Sequence, residues 1–159
     1  MTEHAHHDAH EHAGGATWAM AAQATLHCLT GCAIGEVLGM VVGTALDLPN
    51  PVVIVLSVVL AFAFGYALTM RGVLRSGVDL RRALRLALAA DTVSIAVMEV
   101  VDNTVVASIP GAMDAGLGDM LFWASLVLSL ALAFVVTTPV NRWMIGRGLG
   151  HAVVHAAHG

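Results

Sequence analysis

The sequence predicts an all-α fold, a bundle of four transmembrane helices with both termini in the cytoplasm. A shortage of charge, four long apolar segments and the one-sided placement of every arginine support this. Charged residues make up only 11% of the chain and hydrophobic ones 58%, with a mean hydropathy of +0.81. A soluble domain carries about 25% charged residues. The cell (inner) membrane, with lipid as the surrounding partner, is therefore the expected location.

The apolar segments run from about 16 to 46, 52 to 70, 86 to 109 and 120 to 140. Each reaches the roughly 20 residues that a helix needs to cross about 30 Å of hydrocarbon. Asp47-Leu48-Pro49-Asn50-Pro51 stops the first and starts the second, because proline cannot continue a helix. Pro110-Gly111 ends the third, and Thr137-Thr138-Pro139 marks the end of the fourth. Residues 1–15 and 146–159 flank this domain as polar tails, the first too rich in histidine and acid to form a core. No basic residue precedes the first apolar segment, so a secretory leader is not expected.

Orientation follows from the arginines, seven in a chain without lysine. Arg71, Arg75, Arg81, Arg82 and Arg85 surround the connection between the second and third segments, and Arg142 and Arg147 follow the fourth. The other two connections hold Asp47, Asp114 and Asp119 and no basic residue. Basic residues are retained on the cytoplasmic side, which places both termini there. Trp18, Trp123 and Trp143 fall near the expected span ends, where amphipathic rings prefer to sit.

The first segment contains His27-Cys28-Leu29-Thr30-Gly31-Cys32-Ala33-Ile34-Gly35-Glu36-Val37-Leu38-Gly39-Met40, followed by Gly43. Residues four apart stack along a helix face. One ridge is then Gly31, Gly35, Gly39 and Gly43, a bare strip for close approach of another helix; the third helix is expected against it or its immediate flank. The strip also offers a packing face for a homo-oligomer. The neighbouring ridge is Cys28, Cys32, Glu36 and Met40, each able to offer an electron pair to a metal.

In the third segment Asp91, Ser94, Met98 and Asp102 share a face, with Glu99 and Asn103 beside it. Its Ala96 to Val101 stretch matches Ala33 to Leu38 at an offset of 63 residues, which levels Glu99 with Glu36 and Asp91 with Cys28. Two parallel helix-hairpin repeats about an axis along the membrane normal would produce this.

Glu36, Asp91, Glu99 and Asp102 thus stand in apolar segments without a lysine or arginine. One ionised group at the bilayer centre costs about 2.5–3.5 kcal/mol even on a lenient scale. The carboxyls must hold protons or face a cation that the sequence does not encode. Thiol and thioether donors favour Cu(I), whereas imidazole, thiolate and carboxylate together suit Zn(II). The expected site therefore comprises His27, Cys28, Cys32 and Asp91 as a cytoplasmic-side station. Glu36, Met98, Glu99 and Asp102 lie nearer the membrane middle. His4, His6, His7, His10 and His12, with His151, His155 and His158 at helical spacing, are tail histidines able to collect metal.

The His-Cys-x-x-Gly-Cys-x-x-Gly-Glu-x-x-Gly-Met and Asp-x-x-Ser-x-x-x-Met-Glu-x-x-Asp-Asn runs resemble those of a prokaryotic family of small multi-pass membrane proteins, catalogued as domain of unknown function 4396. The resemblance covers roughly residues 20–145, leaves out both tails and implies the membrane fold without an activity. Small bacterial mercury carriers also place paired cysteines in a first membrane helix; this chain differs by its intramembrane carboxylates.

Three functions remain open at this point. The first is an integral membrane transporter or carrier for a transition-metal cation of the Cu or Zn class, with proton exchange at the carboxylates. The others are an intramembrane metal-dependent or thiol-redox enzyme, and a metal-binding assembly or sensor protein that moves nothing. No phosphate loop, catalytic triad or basic aromatic surface for nucleic acid occurs in the sequence.

Overall fold

The computed structural model describes residues 16–75 and 79–147. Four helices follow one another, α1 (Trp18–Ala45), α2 (Asn50–Arg75), α3 (Leu80–Ser108) and α4 (Met120–Gly146). A single 3-10 turn, Ala112–Asp114, lies between the last two, and no strand occurs among the described residues. α1, α2 and α4 are long and apolar enough to cross a membrane.

The helix ends follow from local chemistry. The Thr17 hydroxyl accepts from the Met20 N–H at 3.2 Å and caps α1. After α1, Asp47 takes a left-handed conformation with φ 52°, which aspartate tolerates better than most residues. This lets the Leu48 N–H reach back to the Gly43 carbonyl at 2.9 Å. Pro51 then sits in the first turn of α2, where its missing N–H costs no helical bond. Gly111, with φ 79°, turns the chain away from α3.

The glycine strip packs α1 against α2, not α3. A Cβ built on Gly31 would lie 2.8 Å from the Gly65 Cα, one on Gly35 2.6 Å from the Ala61 Cα, and one on Gly39 2.9 Å from the Ser57 Cα. Gly43 meets the Val53 side chain. The falling register shows two antiparallel helices with backbones nearly touching. The choice of α2 has a simple cause: its facing residues Gly65, Ala61 and Ser57 are themselves small, whereas α3 offers Ile95 and Met98. The flank of the strip, Cys28 and Cys32, is the face that meets α3. Because the strip is filled within the chain, it no longer argues for a homo-oligomer.

α3 is built inside out. Asp91, Ser94, Met98, Glu99 and Asp102 are buried, while Leu84, Leu88, Val93 and Val100 are exposed, Val100 by 67%. Its buried acids explain why its composition alone does not read as a membrane span. Exposed hydroxyls on α1 and α3 bond their own helix: Thr30 donates to the Leu26 carbonyl at 2.8 Å and Thr104 to the Val100 carbonyl at 2.6 Å. This satisfies a polar group without water.

α4 continues through Pro139 to Gly146, six residues beyond the Val140 expected from sequence. A proline is tolerated inside such a helix when neighbouring groups re-satisfy the freed backbone. The extra length carries Asn141 into the bundle, where it is buried.

Candidate functional site

Polar side chains on the inner faces of α1, α3 and α4 form a column along the bundle. At one level the Cys28 thiol donates to Asp91 Oδ1 at 3.6 Å. One turn further along α1, the Cys32 sulfur is 3.9 Å from Met98 Sδ and also interacts with the Glu99 carboxyl. Another turn along, the Glu36 carboxyl faces that of Asp102. The Ser129 hydroxyl donates to Asp102 Oδ1, and the Asn103 amide donates to the Glu99 carbonyl at 2.9 Å and to Glu99 Oε2 at 3.4 Å.

Two carboxylates can only accept and they repel each other, so carboxyls brought together here share a proton or face a cation. The column also contains unsatisfied atoms. Glu36 Oε1, Asp91 Oδ2 and Glu99 Oε1 are buried without a hydrogen-bond partner, as is His27 Nε2. Such vacancies are uncommon in a folded interior and each calls for an explanation.

Near the arginine-bearing end, the Ser94 hydroxyl donates to Asn141 Oδ1, and Asn141 Nδ2 donates to the Thr25 hydroxyl at 2.8 Å. Thr25 in turn donates to the Ala21 carbonyl at 2.8 Å. This fully paired chain ties α3, α4 and α1 together. Sequence reasoning missed Thr25 and Asn141; the latter fell one residue past the expected end of the fourth span. A lone asparagine in helical register with Thr137 and Thr138 was the available signal.

Toward the other end the bundle opens into a cavity of about 350 Å³. Glu36, Glu99, Asp102 and Asn103 line its inner part, and Asp47 and Asp114 its mouth. Asn50 Nδ2 donates to Asp114 Oδ1 at 3.1 Å, bridging the start of α2 to the 3-10 turn.

The structure thus brings Cys28, Asp91, Cys32, Met98, Glu99, Glu36 and Asp102 to one interior column. His27 is half-buried beside it, with no partner for its Nε2. Among the described residues no group of three or more His, Cys, Asp or Glu stands close enough to hold a metal ion. The donors are arranged in pairs at successive heights. The tail histidines His4, His6, His7, His10, His12, His151, His155 and His158 lie outside the described residues.

Arg142 lies 4.3 Å over the Trp18 ring and Arg147 4.1 Å over the Trp143 ring, so the start of α1 and the end of α4 share an aromatic and basic rim. At the opposite end Trp123 Nε1 donates to the Leu117 carbonyl at 2.9 Å.

Comparisons with curated proteins and with solved structures return no match. A family model does match, over residues 17–150, which spans all four helices and their connections. The chain therefore belongs to the family described as domain of unknown function DUF4396.

Proposed function

We propose that this protein is a carrier for a transition-metal cation, Cu(I) or Zn(II), in the cell (inner) membrane. The observation that carries the reading is the column of paired donors, Glu36 with Asp102, Cys32 with Met98, and Cys28 with Asp91. A resident metal in a structural or catalytic site is held by a closed set of three or four ligands. Pairs at successive heights suit an ion that is handed on, and so favour a carrier over an enzyme. The proton shared by Glu36 and Asp102 leaves when a cation takes its place, which couples metal movement to proton movement.

In this reading α3 is the fourth span, its acids turned inward and its apolar residues toward lipid, as the cost of bare charge in hydrocarbon demands. All seven arginines lie toward one end of the bundle, which supports cytoplasmic termini. An internal repeat has support too. Cys28 and Asp91, aligned by the 63-residue offset, are in contact.

The test of the carrier reading is zinc or copper(I) flux into vesicles containing the full-length protein and an internal metal indicator. Wild type is expected to exceed protein-free vesicles, and Cys28→Ser with Cys32→Ser to lower the rate by roughly tenfold or more, since hydroxyls are poor substitutes for thiolates. Equal rates with and without protein would end the reading.

Orientation has its own test in a background with Cys28 and Cys32 replaced by serine. Gly118 is exposed with open space around it, and Arg75 is exposed at the other end. An impermeant maleimide added outside intact cells should label Gly118→Cys and spare Arg75→Cys. The reverse pattern would invert the topology.

A further inference from the structure

The cavity at the arginine-free end differs chemically from the column it leads into. The charged groups lining it are carboxyls alone, Glu36, Glu99 and Asp102 inside with Asp47 and Asp114 at the mouth. Its sulfur is thioether, from Met40 and Met113; neither thiol lines it. Glu99 is only 5% exposed, is among the residues lining this space, and has Oε1 buried without a hydrogen-bond partner. Glu36 Oε1 is in the same condition. A buried acceptor left bare beside a cavity points to something that fills it.

We infer that this cavity is the loading site for a hydrated divalent cation of the Zn(II) class, held through its water shell by the carboxyls of Glu36, Glu99 and Asp102 and entering from the arginine-free side. The inference rests on the carrier reading for what happens after loading, and it narrows the substrate. Cu(I) seeks soft sulfur and is poorly recruited by carboxylates. Magnesium and calcium take oxygen ligands and would stop where the path turns to thiols. Zn(II) accepts oxygen and sulfur in turn. The carboxyls do not surround a bare ion, and about 350 Å³ leaves room for water between them. The ion is thus received with part of its hydration shell and sheds water on moving toward Cys32. This reverses the order expected from sequence, in which the cysteines capture the ion first.

The probe is Mn(II), a hard divalent ion whose free aqueous form is read directly by electron paramagnetic resonance. Purified full-length protein is titrated with Mn(II), and wild type is compared with Glu36→Gln, Glu99→Gln and the Cys28→Ser, Cys32→Ser pair. The expected result is a saturable site weakened roughly tenfold or more by either glutamine and unchanged by the serines. Zn(II) should displace the Mn(II), and Cu(I) supplied anaerobically should not. If both glutamine variants lose the wild-type elution profile, Asp47→Asn with Asp114→Asn at the exposed mouth replaces them, with weaker Mn(II) binding expected. Mn(II) binding that no carboxylate variant changes lies on the tails or surface and overturns the inference, as does displacement by Cu(I) alone. The two readings fail separately. Zinc flux that depends on the cysteines without a carboxylate-dependent Mn(II) site sinks the loading site and keeps the carrier. A carboxylate-dependent Mn(II) site without metal flux keeps the site and sinks the carrier.

Discussion

Gly35→Leu is expected to abolish the folded bundle. The Cβ alone would stand 2.6 Å from the Ala61 Cα and 2.9 Å from the Leu60 carbonyl carbon, both backbone atoms that no rotamer change can move. Overpacking that side chains can absorb costs about 1–3 kcal/mol. Here relief requires α1 and α2 to separate along their length, which also loosens the contacts at Gly31 and Gly39. A total stability of about 5–15 kcal/mol leaves little margin for that. The measurement is the monodisperse fraction on size exclusion in detergent, expected to vanish for Gly35→Leu. Substitutions at Gly43 should be better tolerated, because they meet the Val53 side chain rather than backbone. Gly72→Ala is the contrasting change in α2: nothing lies within 4 Å of its Cβ. It should be silent or stabilise by up to about 1 kcal/mol through helix propensity. Normal elution of Gly35→Leu would mean that the α1–α2 contact is looser than described.

The close contact was legible in sequence as a strip, because four glycines at every fourth position need no partner to be recognised. Its partner was not legible. α2 reads as uniformly apolar, and nothing in Ser57, Ala61 and Gly65 announces a complementary groove until the two helices are set antiparallel. The long segment was likewise readable at α1, where the turn from Asp47 to Pro51 ends the helix, and misread at α4. There a proline looked like a terminator, yet the chain continues to Gly146 because an apolar bundle leaves the helix no better use of its backbone groups.

The site divides in the same way. Cys28, Cys32 and Glu36 on α1, and Asp91, Met98, Glu99 and Asp102 on α3, were identifiable because stacked donors and uncompensated acids have no ordinary place in apolar helices. Their pairing follows from parallel packing of α1 and α3, which the 63-residue offset anticipates for Cys28 with Asp91. Glu36 departs from that pattern, interacting with Asp102 more closely than the levelling with Glu99 suggested. The reason is geometric: Glu99 turns its carboxyl toward Cys32 and Asn103. The cavity could not be read at all, since it depends on how the Asp47 turn and the Ala112–Asp114 segment stand apart at the bundle mouth.

Glu36→Gln should then separate folding from function more sharply than any other change in the column. The amide keeps the volume of the side chain and can donate to Asp102, so the α1–α3 contact retains a hydrogen bond without needing a shared proton. What is lost is the negative charge a cation would exchange for that proton. Normal elution and thermal stability are expected, together with zinc flux reduced by about 100-fold, at the upper end of what loss of a metal-binding partner produces. A pH dye inside the same vesicles should record proton movement with zinc in wild type and none in the variant. The outcome that would break this account is a Glu36→Gln protein that folds, carries zinc at the wild-type rate and still moves protons. The Glu36–Asp102 pair would then be a buried structural contact, and the path would have to bypass α1 at that level of the bundle.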